Sequence, residues 1–161
     1  MNLDEYNKSV DQHADGMFRF ILKNIKDEDK ARDIVQDSFE KLWRNVDNVN
    51  YQKVKSYLFT TAYHTMIDMI RREKRKEDFE NVDVKEYSHS VQYTDLKEVL
   101  EIALERLSEV QRSVILLRDY EGYSYQEIAK ITDLSESQVK VYIYRARKHL
   151  KNYIGSIETL V

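Results

Sequence analysis

The chain has 161 residues, 42% of them hydrophobic, with three Gly, no Pro and no Cys; this is apolar material for one ordinary domain or two small ones, and too few turn formers for an all-β fold. Absent cysteine excludes a disulfide framework, a thiolate metal site and a cysteine nucleophile, and fits a reducing cytoplasm. The formal net charge of −3 argues against indiscriminate nucleic-acid binding over the whole surface, while Asp4, Glu5 and Asp11 at the start, and no run near the roughly 18 apolar residues of a span, argue against a signal peptide or membrane insertion.

The first predicted helix runs from about Leu3 to Lys26, where Tyr6, Val10, Ala14, Met17, Phe18, Ile21, Leu22 and Ile25 recur at helical spacing. A second starts at Asp27 or Asp29, whose carboxylates suit a helix N-terminus, and reaches about Asn45. Its apolar face holds Ala31, Ile34, Val35, Ser38, Phe39 and Leu42, and its polar face Asp33, Gln36, Asp37, Glu40 and Arg44, with Trp43 at the edge between them. Asn45 to Gln52, rich in Asn and Asp, reads as a loop. The third helix carries an apolar stripe of Val54, Tyr57, Leu58, Thr61, Ala62, Thr65, Met66, Met69 and Ile70, and a polar one of His64, Asp68, Arg71 and Arg75. It ends in the basic block Arg71, Arg72, Lys74, Arg75 and Lys76, where cations complement the macrodipole.

Residues 77–94 are polar, acidic and without period, the composition of a flexible linker. Beyond them Asp95 with Glu98, Ser108 with Gln111, Ser124 with Glu127 and Ser135 with Gln138 all have capping-box spacing, which marks four helix starts. The last two bracket a short helix from Tyr125 to about Ile131, a turn over Thr132 to Leu134, and a longer helix from Glu136 to about Asn152. That spacing is a helix-turn-helix. In the last helix Val139, Ile143, Ala146 and Leu150 share one stripe and must face inward. Outward then lie Ser137, Val141, Tyr144 and Lys148, flanked by Gln138, Lys140 and Arg145, a set able to read base edges and methyl groups in a major groove. Ser135 and Arg147 are placed for phosphates. A merely solvated basic helix would have no reason to set Val141 and Tyr144 among cations.

The segment LSEVQRSVILLRDYEGYSYQEIAKITDLSESQVKVYIYRARKHLK resembles region four of extracytoplasmic-function (ECF) sigma factors of the sigma-70 family. It departs from the usual pattern at Ser108, where Pro is common, and over Glu136 to Gln138, where a Gly-Thr pair is frequent. ARDIVQDSFEKLW and VKSYLFTTAYHTMIDMIRREKRK resemble region two of the same family, with His64 in place of a frequent Asn. The resemblance implies an all-α chain of two small helical domains: region two over residues 1–76, a flexible acidic linker over 77–94, and region four over 95–161. It implies a cytoplasmic RNA polymerase sigma factor that binds core polymerase, recognises the −10 and −35 promoter elements, promotes melting and initiates transcription, often under an anti-sigma partner.

By position, the resemblance puts Asp33, Gln36, Glu40 and Trp43 on the clamp coiled coil of the largest polymerase subunit. It puts His64, Asp68, Arg71, Arg72 and Arg75 on the −10 element, with Tyr57, Phe59 and Tyr63 as nearby aromatic faces for unstacked bases. Ser135, Ser137, Gln138, Lys140, Val141, Tyr144, Arg145, Arg147 and Lys148 fall to the −35 element. For Trp43 core packing is an equal reading; Tyr57 and Tyr63 could equally be core or core-edge aromatics, and Tyr57, which shares the stripe of Leu58, suits the core. The alternative is a helix-turn-helix regulator that binds DNA without polymerase, but the first half shows neither a ligand pocket nor a phosphoacceptor site. An enzyme is not expected, nor a cofactor or metal: His13, His64, His89 and His149 are scattered, and no glycine-rich phosphate loop or ligand-spaced cluster is present.

Overall fold

Asn2 starts helix α1 (Leu3–Ile25) with a complete capping box: the Glu5 N–H donates to Asn2 Oδ1 at 2.8 Å and the Asn2 N–H to Glu5 Oε1 at 3.0 Å. The computed structural model describes residues 1–80 and 96–158. Lys26, at φ 57°, ends α1 in the left-handed region, and Asp27 immediately caps α2 (Glu28–Arg44) by accepting from the Lys30 N–H. A 3₁₀ turn (Tyr51–Lys53) at the end of the expected loop leads into α3 (Val54–Glu80), which runs past the domain boundary expected at residue 76. The rest of the expected linker, and Asp95 of the first expected capping box, lie outside the described residues.

The second half comprises α4 (Leu96–Glu105), α5 (Glu109–Ile115), α6 (Tyr125–Thr132) and α7 (Glu136–Glu158). Ser108 and Ser124 cap α5 and α6 by accepting from the backbone of Gln111 and Glu127, and Ser135 with Gln138 bonds in both directions at the start of α7. After Ile115 the helix widens into a π turn (Leu116–Tyr120), with the Glu121 N–H reaching back to Leu116 O at 3.1 Å. The expected turn at 132–134 starts one residue later, because Thr132 is still helical and bonds its hydroxyl to Ile128 O at 2.7 Å. Asp133, at φ 59°, makes the left-handed step that frees the chain for α7.

Helices α1, α2 and α3 close over Met17, Phe20, Ile21, Ala31, Ile34, Leu42, Leu58, Ala62 and Met66. Helix α3 also buries a second row, Phe59, Tyr63 and Ile67, which its expected stripe did not include. The reason is tertiary: the second half packs there, and Phe59 stands between Phe20 at 5.7 Å and Tyr123 at 5.4 Å between ring centroids. One apolar cluster therefore continues from α1 through α3 to Leu107, Val114, Ile128, Val139, Ile143 and Ala146.

Polar groups lock the same seam. Arg112 donates to four backbone carbonyls, those of Leu104, Glu105, Leu107 and Asn24, so one guanidinium serves the carbonyl-rich C-terminal ends of α1 and α4 together. Burial, first among its causes, lowers the Arg112 pKa from its ordinary value. Ser113 Oγ donates to the buried Asn24 Oδ1 at 3.1 Å, and Arg19 grips Glu121 with Nε and Nη2. Lys23 lies 3.7 Å from the centre of the Tyr120 ring. The relative placement of the halves, which periodicity leaves open, is set by these contacts.

Candidate functional site

Burial of Val139, Ile143 and Ala146 settles which side of α7 faces inward. Ser135, Ser137, Gln138, Lys140, Val141, Tyr144, Arg145, Arg147 and Lys148 are consequently all exposed. Val141 and Tyr144 are 44% and 66% exposed, large apolar groups held in water among cations. The cations are not equivalent. Among the described residues Arg145 and Lys148 form no ion pair, whereas Lys140 approaches Glu136 at 3.6 Å and Arg147 is bound to Asp119 at 2.6 Å. Gln138 spends its side-chain carbonyl on the Ser135 N–H at 2.9 Å, so its remaining capacity is chiefly as a donor.

A second exposed surface runs along α3, carrying His64, Asp68, Arg71, Arg72 and Arg75. The last four line a shallow concavity of about 420 Å³. Glu73, the acid inside the basic block, turns away to pair with Lys30 of α2. No carboxylate of the described residues forms an ion pair with Arg71, Arg72 or Arg75, so their field is left to attract an anion. Among the aromatic faces expected beside them Phe59 needs correction, since it is 1% exposed and packs on Tyr123 in the seam with the second half; Tyr63, 6% exposed, takes the core reading that was open for it. Tyr57 is half-buried, and its hydroxyl accepts from Asn45 Nδ2 at 3.3 Å, tying the loop to α3.

The polar face of α2 forms a third surface, where Asp33, Gln36, Glu40 and Trp43 are exposed. Trp43 is 50% exposed and meets the Tyr6 ring edge-on at 5.0 Å. Tyr6 is held in turn by donating its hydroxyl to Phe39 O at 3.2 Å. The indole is thus braced on one side and open on the other, an arrangement common to aromatic anchors of protein interfaces. Among the described residues no group of His, Asp or Glu is arranged to hold a metal ion, and no helix is long and apolar enough to cross a membrane.

Arg112, Asn24, Glu121 and Tyr123 are the residues that periodicity missed. Arg112 and Glu121 look in sequence like ordinary solvated charges. Only the polar Asn24, in helical phase with the apolar Met17, Phe20 and Ile21 of α1, offered a local hint.

Comparison with known proteins gives a consistent result for both halves. Residues 10–76 match the model of Sigma-70 region 2, and residues 97–150 that of Sigma-70, region 4. The RNA polymerase sigma factor SigV of Bacillus subtilis is 32% identical over 147 residues, covering 88% of this chain and 86% of that protein. The ECF RNA polymerase sigma-E factor of Haemophilus influenzae is 32% identical over 139 residues, covering 76% and 73%. Among solved structures, the sigma factor RpoE of Bartonella quintana, in complex with the anti-sigma factor NepR, superposes with a TM-score of 0.78 at 26% identity, over 95% of this chain and 98% of that one. CnrH, in complex with the cytosolic domain of CnrY, gives a TM-score of 0.71 at 25% identity, over 96% and 90%.

Proposed function

The chain belongs to the ECF group of the sigma-70 family, and from that premise we propose that its three exposed surfaces divide promoter recognition between polymerase core, duplex DNA and opened DNA. It is an RNA polymerase sigma factor. One observation carries the division: each set of residues assigned to a partner stands in solvent, while the stripes between the sets are buried. In this reading residues 1–76 are region two, 77–94 the linker and 95–161 region four.

Asp33, Gln36, Glu40 and Trp43 present an acidic and amide face with an aromatic anchor to the clamp coiled coil of the largest polymerase subunit. Helix α7 enters the major groove of the −35 element. Lys140 and Arg145 donate to base acceptors, Val141 and Tyr144 meet methyl groups, Ser137, Gln138 and Lys148 supply further donors along the groove, and Ser135 is placed for a phosphate. His64, Asp68, Arg71, Arg72 and Arg75 hold the −10 element, where cations neutralise the backbone of the separating strands. The chain makes no bond itself; the polymerase does the chemistry in the cytoplasm. With a net charge of −3, the free protein has little overall attraction for DNA, and core supplies the missing phosphate contacts. An anti-sigma protein is the expected regulator, since the two related structures described above each hold such a factor or a cytosolic partner domain.

Reconstitution with purified core and a library of promoter fragments tests this reading. Initiation that depends on the added chain, from a shared pair of upstream and downstream elements, is expected. Tight, sequence-specific duplex binding by the chain alone at physiological salt, with no gain on adding core, would instead establish a regulator that works without polymerase.

A further inference from the structure

Two of the exposed charges near the recognition surface are already spoken for by each other. Arg147 Nη2 lies 2.6 Å from Asp119 Oδ1 and Nε lies 3.4 Å from Oδ2, a two-pronged contact across 28 residues. Both ends spring from firmly held backbone. Ala146, beside Arg147, is fully buried, and Leu116 and Leu117, in the same π turn as Asp119, are 1% and 0% exposed. The turn is braced further, because Arg118 donates to Tyr123 O at 2.9 Å and stacks on the Tyr125 ring at 4.5 Å. Lys140 Nζ stands 5.7 Å from that same ring. The apolar stripe fixes which side of α7 faces inward and leaves only the fine roll of the helix about that position to contacts at its rim. A bidentate ion pair there resists that roll well, since the guanidinium fork tolerates little rotation.

A phosphate would have to compete for Arg147 with a carboxylate already in place, and the pair together carries no net charge. The hydrogen bond to Asp119, as first cause, also raises the Arg147 pKa from its ordinary value.

We propose that Arg147 is a positioning residue: through Asp119 it sets the roll of α7, and so the aim of Lys140 and Arg145, and does not itself hold a phosphate. This rests on the reading that α7 reads the upstream element as duplex, and it revises the phosphate role that spacing alone suggests for Arg147. The two roles predict opposite signs for Asp119. If Asp119 merely restrains a phosphate-binding arginine, removing the carboxylate frees that arginine and DNA binding tightens. If the pair aims the helix, Asp119→Ala and Arg147→Ala weaken recognition alike.

The experiment uses holoenzyme assembled from the full chain and core, with duplex promoters bearing either the preferred upstream element or single-base-pair variants of it. Asp119→Ala and Arg147→Lys are each expected to weaken binding about two- to fivefold and to narrow the ratio between preferred and variant sequences. Lys keeps the charge but not the fork. The slope of log affinity against log salt should not change, and the exchanged pair Asp119→Arg with Arg147→Asp should recover the ratio. Tighter binding by Asp119→Ala, wild-type behaviour of Arg147→Lys, or a salt slope reduced by about 0.9 in Arg147→Ala would each return Arg147 to a phosphate and overturn the proposal. A lower melting temperature with the sequence ratio intact would reduce the pair to fold stability, and overturn it too. Lys140→Ala with Arg145→Ala is the control for the underlying reading. If that variant leaves upstream discrimination untouched, it is α7 as the duplex reader that fails.

Discussion

Tyr123 is 3% exposed, and its hydroxyl has no hydrogen-bond partner among the described residues. The rest of the residue is well placed: the ring meets Phe59 edge-on, the N–H donates to Leu117 O at 3.0 Å and the carbonyl accepts from Arg118. Tyr123→Phe removes only the unsatisfied atom. A buried polar group without a partner costs about 1–3 kcal/mol, so the substitution should stabilise the seam by an amount of that order. For a chain of this length about 1 kcal/mol moves the unfolding midpoint by about 2–4 °C, and a rise of about 2–12 °C is expected. Tyr123→Ala should act in the opposite direction by about 3–5 kcal/mol, because it opens a cavity between the halves. Calorimetry of the full chain measures both, with Trp43 fluorescence as a second probe of unfolding. Alkaline pH supplies an independent arm. Burial first, then Glu121 and Glu127, push the Tyr123 hydroxyl far above its ordinary pKa. A raised group stabilises fully below its unfolded pKa of about 10 and loses that contribution as pH rises beyond it. The wild type should therefore weaken more steeply above about pH 10 than Tyr123→Phe. A lowered midpoint for Tyr123→Phe at neutral pH would refute the reasoning, since it would mean that the hydroxyl is bonded after all.

Asp33→Ala with Gln36→Ala should weaken association with labelled polymerase core while leaving the melting temperature unchanged, since neither side chain has a bond among the described residues; equal affinity in titration would remove this face from the interface. Arg71→Ala with Arg75→Ala should leave upstream duplex binding largely intact and impair opening, so a premelted template should rescue transcription by this variant more than by Lys140→Ala with Arg145→Ala. Equal rescue would show that the two basic surfaces have been exchanged. His13 is held below its ordinary pKa by burial first and Lys55 second. A depressed group stabilises above its unfolded value of about 6.5 and loses that contribution as pH falls through its folded value. His13→Gln should consequently lose less stability than the wild type on acidification from neutral pH in urea titrations, and parallel losses would discount this histidine.

The helices and most of their starts were legible along the chain, because capping and periodicity are local, whereas α3 and α7 run on to Glu80 and Glu158, past their expected ends. Ser135 with Gln138 announces the start of α7, and the spacing of Val139, Ile143 and Ala146 dictates which side of it reaches solvent, so the outward set from Ser135 to Lys148 followed from phase alone. The acidic face of α2 and the basic end of α3 were equally readable. Phase could not decide Trp43, which sits at the stripe's edge and depends on Tyr6 from another helix for its support. Nor could it find the second buried row of α3. Phe59 looks like an exposed aromatic until Tyr123 covers it, and nothing within a helical turn records that cover. The same holds for charges. Arg19 and Glu121 are 102 positions apart, and Arg147 and Asp119 28 apart. A charged residue carries no local mark of whether its partner is water, DNA or a carboxylate brought to it by the fold. Sequence by itself determined the helices, their outward faces and the family; the packing of one half on the other decided which aromatics are core and which cations remain available, because those properties belong to pairs of distant residues rather than to either one.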